Sequence, residues 1–310
     1  MTLKAHTIIA IDIAKESLQI QSPDQAWSLD YEDGALKELI KRLKTLAPIL
    51  VVCEATGGYE RKLLTALHRA KLPVCLVNPY RVRAFASSEG IRAKTDPIDA
   101  QVLLRFAQEK KLHPTPPPSP KQLALAALLD RRSHLTSMIA QEKNRLKNSS
   151  PLIHSMVRKM IGLIETQLQS LEAKLKKGLS EDEEYRNIDK IIQSVKGIGP
   201  VTSWTLMAHL NEITSLGRNQ IVALAGLAPF NRDSGKSRGK RCIQAGRGKV
   251  RKCLYMAAQT AARFNPVIRD YVNRLIERGK PYKWAMVAAM RKLLIHIQSL
   301  LKKNKLSLAS

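Results

Sequence analysis

Residues 113–120, HPTPPPSP, hold five prolines in eight positions. Each proline fixes φ and removes an amide donor, so the segment can be neither helix nor central strand. It reads as a stiff linker. Whatever this chain folds into must therefore be built on two sides of it.

Before the linker, β-type apolar runs alternate with helical segments, the pattern of an α/β sheet. The strands are HTIIAIDIA, SLQIQS, ILVVCEA and PVCLVN. Helices are expected over 34–46 and 59–70, where apolar residues recur at i, i+3 and i+4, and from Pro97 to about 110. After the linker, two long helices are expected over 121–149 and 151–178. Between them stand Ser149, Ser150 and Pro151, a serine N-cap followed by proline at the first helical position. In the second helix Val157, Ile161, Ile164, Leu168, Leu171 and Leu175 alternate spacings of four and three, as in a coiled-coil seam. That seam suits an intramolecular hairpin and a dimer contact equally. The acidic stretch SEDEEY marks a boundary, and the remainder reads as helical with glycine-rich turns. The expected organisation is a catalytic domain over 1–112, the linker, a helical hairpin over 121–185 and a DNA-binding domain over 186–310.

The chain carries 52 lysine and arginine residues against 26 acids, a formal net charge of +26. Such an excess calls for a large polyanion, and nucleic acid is the first candidate. No run is long and apolar enough to span a membrane, and the short apolar stretch near the N-terminus meets Asp12 and Glu16 at once. A cytoplasmic, nucleoid-associated protein with no membrane partner is expected. Cys53, Cys75, Cys242 and Cys253 show no CxxC spacing, which argues against structural zinc.

Four acids stand out by position. Asp12 lies inside an apolar strand, where an ionised carboxylate needs a cation or a hydrogen-bonding partner. Glu54 closes the run ILVVC, just before Gly57 and Gly58. Asp96 and Asp99 sit one helical turn apart and can face the same way. Singly, each has a plainer explanation as a cap or turn residue; Asp96 before Pro97 is a good N-cap, and Asp99 would complete a capping box. Together, two strand-end acids and a helix-borne pair are what an RNase H-like nuclease needs to bridge two magnesium ions at a scissile phosphate. Only hard oxygen ligands hold that ion well.

In VKGIGPVTSWTLM, Gly197 and Gly199 form the turn of a helix-hairpin-helix, letting backbone amides approach a phosphate beside a helix N-terminus. Residues 231–252 hold nine basic residues and one acid. Glycine and serine are interspersed, which permits close backbone approach to phosphates. Ser234 has no neighbouring histidine, so no triad can be read around it.

IDIAKESLQI, VCEATGGYE, VNPYRVRAFASSEGIRAKTDPIDA and LAGLAPFNRDSGKSRGKR followed by GRGKVRKCLYMAAQTAARFNP resemble the DEDD transposases of the insertion sequence 110 family, related to the Piv and MooV invertases. The resemblance spans nearly the whole chain. It implies a RuvC-like N-terminal domain with Asp12, Glu54, Asp96 and Asp99 as magnesium ligands. It also implies an all-α C-terminal domain in which Ser234, the serine of the SG motif, is the nucleophile. Arg232, Lys236, Arg238, Arg241, Arg247 and Arg251 are then candidate phosphate clamps. The expected activity is cleavage and rejoining of donor and target DNA by a homodimer or tetramer, and the family further implies a noncoding bridge RNA. Two other readings stay open on the residues alone: a RuvC-like Holliday-junction endonuclease using water as nucleophile, and a non-catalytic nucleic-acid-binding protein.

Overall fold

A computed structural model of the protein describes residues 7–91, 96–230 and 242–304, the side chains of residues 96 and 97 excepted. The chain divides into two compact units, 1–117 and 118–310.

The first unit is built on a five-stranded sheet in the order β3-β2-β1-β4-β5. Strand β1 (Ile8–Ile13) pairs antiparallel with β2 (Ser17–Gln21), which pairs antiparallel with β3 (Ala26–Asp30). On its other side β1 runs parallel to β4 (Leu50–Glu54), and β4 to β5 (Val74–Val77). Helices α1 (Asp33–Leu46) and α2 (Glu60–Arg69) supply the parallel crossovers. The apolar runs of β1 and β4 bury both faces, as a doubly covered sheet requires. Ile9, Ile11, Val51 and Cys53 pack on one side with Leu39 and Leu43 of α1 and Leu63 and Leu67 of α2. Ala10, Val52 and Val77 face the other side. There they meet α3 (Pro79–Ser88) and α4 (Asp96–Glu109) through Val82, Phe85, Leu103 and Phe106.

The proline-rich segment is not a free tether. The Thr115 amide donates to the Val74 carbonyl (2.7 Å) and the Leu76 amide to Thr115 Oγ1 (3.0 Å), so the segment is docked along the outer edge of β5.

In the second unit α5 (Pro120–Asn148) starts on a capping box between Ser119 and Gln122. It packs antiparallel to α6 (His154–Ser180), which follows a 3₁₀ turn at Pro151–Ile153. Leu135 and Ile139 of α5 meet Ile164, Leu168 and Leu171 of α6, so much of the heptad-like seam is used inside the hairpin. At its open end Leu125, Leu129, Leu175 and Leu179 enter the larger core. That core is made with α7 (Glu183–Gln193), α8 (Pro200–His209), α9 (Arg218–Leu224), α10 (Gly248–Phe264), α11 (Pro266–Glu277) and α12 (Tyr282–Lys303). Buried Gln298 of α12 donates through Nε2 to the carbonyls of Ile213 (2.7 Å) and Leu216 (2.9 Å), satisfying the turn before α9. A short ribbon, β6 (Pro229–Phe230) against β7 (Cys242–Ile243), flanks residues 231–241. Among the described residues no helix is long and apolar enough to cross a membrane.

Candidate active site

Register sets two acids of the first unit, Asp12 and Glu54, side by side. In the parallel pairing Ile11 of β1 stands beside Cys53 of β4. Asp12 and Glu54 are therefore the next residues on neighbouring strands, at their carboxyl ends. Side chains alternate along a strand, so Asp12 and Glu54 project to the same side as Ala10 and Val52, the side covered by α3 and α4. Asp99 lies in the first turn of α4, one turn before the residues that pack on β1. Asp96 opens that helix, and its side chain lies outside the described residues. Ligand sites of open α/β sheets occupy this position, at the carboxyl ends of the strands.

Among the described residues, no three acidic, histidine or cysteine side chains are grouped closely enough to hold an ion together. Arg83 of α3 stands 3.8 Å from Asp99 Oδ1 and brings positive charge to the helix-borne acid. The donor set is all oxygen and sits on rigid strand ends and a helix start. That chemistry fits a hard divalent cation and does not suit zinc or copper.

The loop after Glu54 is held by a residue that the sequence reading passed over. Glu60, the first residue of α2, accepts through Oε2 from the Thr56 amide (3.0 Å), Thr56 Oγ1 (3.3 Å) and the Gly58 amide (2.8 Å). Gly57 and Gly58 have φ of 73° and 126°, left-handed values that let the loop wrap around this carboxylate. Tyr31 braces the same corner: its hydroxyl donates to the Tyr59 carbonyl (2.6 Å) and accepts from the Leu63 amide (3.0 Å). The readable signal is an acid at the start of a helix, two positions after a glycine pair.

In the second unit, α7 and α8 are joined by the turn containing Gly197 and Gly199. Gly197 has φ of 102°, and a methyl group built on it would lie 2.5 Å from Ala261 Cα. Its missing side chain lets the turn press against α10. Gly199 caps α8 with nothing within 4 Å of where its Cβ would stand, so this part of the turn is open to an approaching ligand.

Ser234, Arg232, Lys236, Arg238 and Arg241 lie outside the described residues. Arg247 forms a two-pronged ion pair with Glu212, both contacts at 2.6 Å, and donates to the His209 carbonyl at 2.8 Å. Its amide donates to the Leu224 carbonyl (2.9 Å), and Arg251 donates to the Ala245 carbonyl. Gly226 and Gly246, both at φ 71°, meet back to back; a methyl on Gly246 would lie 2.3 Å from Gly226 Cα. Arg247 thus uses its donors on residues at the end of α8, after it and at the end of α9, and Arg251 on a carbonyl two residues after β7.

Two family models match this chain. One describes a DEDD transposase of the IS110 type and covers residues 5–150; the other, a transposase of the IS116/IS110/IS902 family, covers residues 189–273. The pilin gene-inverting proteins of Moraxella bovis and Moraxella lacunata are each 28% identical over 260 residues, 82% of this chain and 80% of theirs. A protein of insertion element IS116 from Streptomyces clavuligerus, of uncharacterized function, is 28% identical over 153 residues, 48% of this chain and 38% of its own. The first model takes in all four acids and the second the serine-bearing basic segment, and the chain belongs to the IS110 family of transposases, enzymes that recombine DNA.

Proposed function

We propose that this transposase cleaves DNA at a site whose ion-binding half is Asp12, Glu54, Asp96 and Asp99 and whose nucleophile is Ser234. The observation that carries this is the side-by-side placement of Asp12 and Glu54 on parallel strands, facing the helix that starts at Asp96 and bears Asp99. A strand order of β3-β2-β1-β4-β5 with β2 antiparallel supports an RNase H-like, RuvC-like reading of the first unit. Magnesium bound there, as one or two ions, would polarise the scissile phosphate and stabilise the leaving oxygen. In the covalent step the Ser234 oxygen bonds to phosphorus and gives its proton to solvent, while the bond from phosphorus to one deoxyribose oxygen breaks and that oxygen takes a proton from solvent to leave as a hydroxyl. Rejoining reverses that exchange with a new deoxyribose hydroxyl.

Arg232, Lys236, Arg238 and Arg241 serve this reading as phosphate contacts, with Gly199 and its helix-hairpin-helix turn as a sequence-independent grip on DNA. Arg247, Arg251 and Gly197 act mainly by holding the scaffold. Both donor and target DNA are substrates. A bridge RNA that pairs with each accounts for part of the +26 charge. Assembly as a dimer or tetramer is supported by an exposed apolar row on α6 and the turn before it: Leu152, Met156, Met160 and Leu163 are 87%, 69%, 48% and 65% exposed. Single exposed apolar residues are ordinary, but a contiguous row at helical spacing marks an interface.

The test is incubation of the protein with magnesium and labelled element-end DNA, followed by denaturing electrophoresis. A protein–DNA adduct should form and should be lost in Ser234→Ala and in Asp12→Asn. Cleavage without any adduct would show a water-using nuclease instead, and full activity of Asp12→Asn with Glu54→Gln would remove the acids from the mechanism.

A further inference from the structure

We propose that the groove between α3 and α4 is a subsite for one nucleotide of a single DNA strand leading away from the acids; this rests on the reading of those acids as the scissile-phosphate site. The groove is a shallow, open depression of about 290 Å³ between Tyr80, Arg81, Phe85 and Ser88 of α3 and Phe106 and Lys110 of α4. Its floor is an edge-to-face pair of buried rings, Phe85 and Phe106, with centroids 5.6 Å apart. Two cations cross over that floor. Arg81 of α3 lies 5.5 Å above the Phe106 ring, and Lys110 of α4 lies 5.4 Å above the Phe85 ring. Each ring thus positions a cation that belongs to the opposite helix.

Charge pairing sets these two cations apart from their neighbours. Arg83 is paired to Asp99 (3.8 Å) and Arg105 to Glu89 (2.6 Å). Among the described residues, neither Arg81 nor Lys110 has a carboxylate within 4.0 Å, and the Tyr80 ring is half exposed at the rim. Two cations with no carboxylate partner among the described residues, over an apolar floor and beside a half-exposed aromatic ring, suit a ligand that is anionic and aromatic at once. A nucleotide of an unpaired strand is such a ligand: its phosphate meets the cations and its base stacks on Tyr80.

Position points the same way. Phe106 and Lys110 follow Asp99 by seven and eleven residues, close to two and three helical turns. All three side chains therefore share one stripe of α4, with the cavity roughly 10–16 Å along the axis from the acid. A strand passing the acids reaches the groove within a few nucleotides. A single strand is required because in a duplex both faces of a base are covered by its stacked neighbours.

The experiment uses the full chain with dT12 and, in parallel, U12. Wild-type protein is photocrosslinked to dT12 carrying 5-iodouracil, the crosslinked peptide is identified by mass spectrometry, and binding is measured by fluorescence anisotropy across a salt series. We expect the crosslink on the Tyr80 peptide. Arg81→Ala with Lys110→Ala should weaken dT12 binding at least tenfold and reduce the log–log salt slope by about 0.7, the value for one phosphate contact on a single strand. Crosslinks that fall elsewhere overturn the proposal, as does unchanged binding in the double variant. A loss confined to U12 would assign the groove to RNA and overturn it equally. Because the crosslink uses wild-type protein, a variant that misfolds leaves the test intact. Asp12→Asn with Glu54→Gln tests the underlying reading separately: if that variant still cleaves DNA, the reading of the acids fails, whereas the Tyr80 crosslink still decides whether the groove binds a strand.

Discussion

Replacing Gly197 by alanine tests whether this glycine serves DNA approach or internal packing. The residue sits at φ 102°, and the added methyl would lie 2.5 Å from Ala261 Cα and 2.7 Å from its amide nitrogen. Both neighbours are helix backbone and cannot rotate away. A left-handed conformation costs an L-residue about 1–2 kcal/mol, and forcing a methyl into a packed site costs about 1–3 kcal/mol more. The sum is roughly 2–5 kcal/mol, a large share of the roughly 5–15 kcal/mol that holds a domain folded. For a unit of this size about 3 kcal/mol lowers the melting temperature by roughly 6–12 °C. Scanning calorimetry should show this drop in one transition, and hydrogen exchange should accelerate in α8 and α10 while β1 and β4 keep their protection. Gly199→Ala is the control: its Cβ meets nothing within 4 Å, so stability should hold within about 0.5 kcal/mol. A Gly197→Ala protein that melts with wild type but binds DNA weakly would refute the packing argument and return Gly197 to the phosphate.

Glu60→Ala strips three hydrogen bonds from the Thr56–Gly58 loop; DNA cleavage should fall by roughly tenfold or more, at about 1–3 kcal/mol per lost charged partner, with faster exchange at residues 55–58. Arg247→Ala should destabilise the second unit by about 1–3 kcal/mol in urea titration, and Arg247→Lys should not restore it, because lysine cannot reproduce the two-pronged contact with Glu212. Burial holds the thiols of Cys53 and Cys75 above their usual range and pushes Cys253 up to about 12, while Cys242 is exposed. At pH 8 a thiol reagent should therefore modify Cys242 quickly, and modification of the other three should wait for unfolding or strong alkali.

The strands that were readable in sequence are those whose side chains decide their own environment. HTIIAIDIA and ILVVCEA are apolar on both faces and become the two central strands. AWSLD, which forms β3, was missed because its alternation is shallow and it pairs only with β2. Its strand character comes from a neighbour and not from its own burial. Helix α3 was also missed, although Asn78 and Pro79 announce it: Asn78 Oδ1 accepts from the Tyr80 amide at 2.9 Å. The identities of the four acids could be read, since each stands in a distinctive run. The side-by-side placement of Asp12 and Glu54 could not, because it depends on which strand lies beside β1 and in what register. Arg247 shows the opposite failure. It looked like one more basic residue in a basic run, and only the fold brings Glu212, 35 positions earlier, under its guanidinium.

Thr115 lies against β5 with prolines at 114, 116, 117 and 118 around it. An outermost strand normally offers a row of unmatched amides and carbonyls to any extended chain that meets it. Here that row is met by a segment which, having no N–H at its prolines, cannot pass the pattern on to a further strand. That stop closes the β5 edge, and leaves β3 as the edge at which one such sheet could join another.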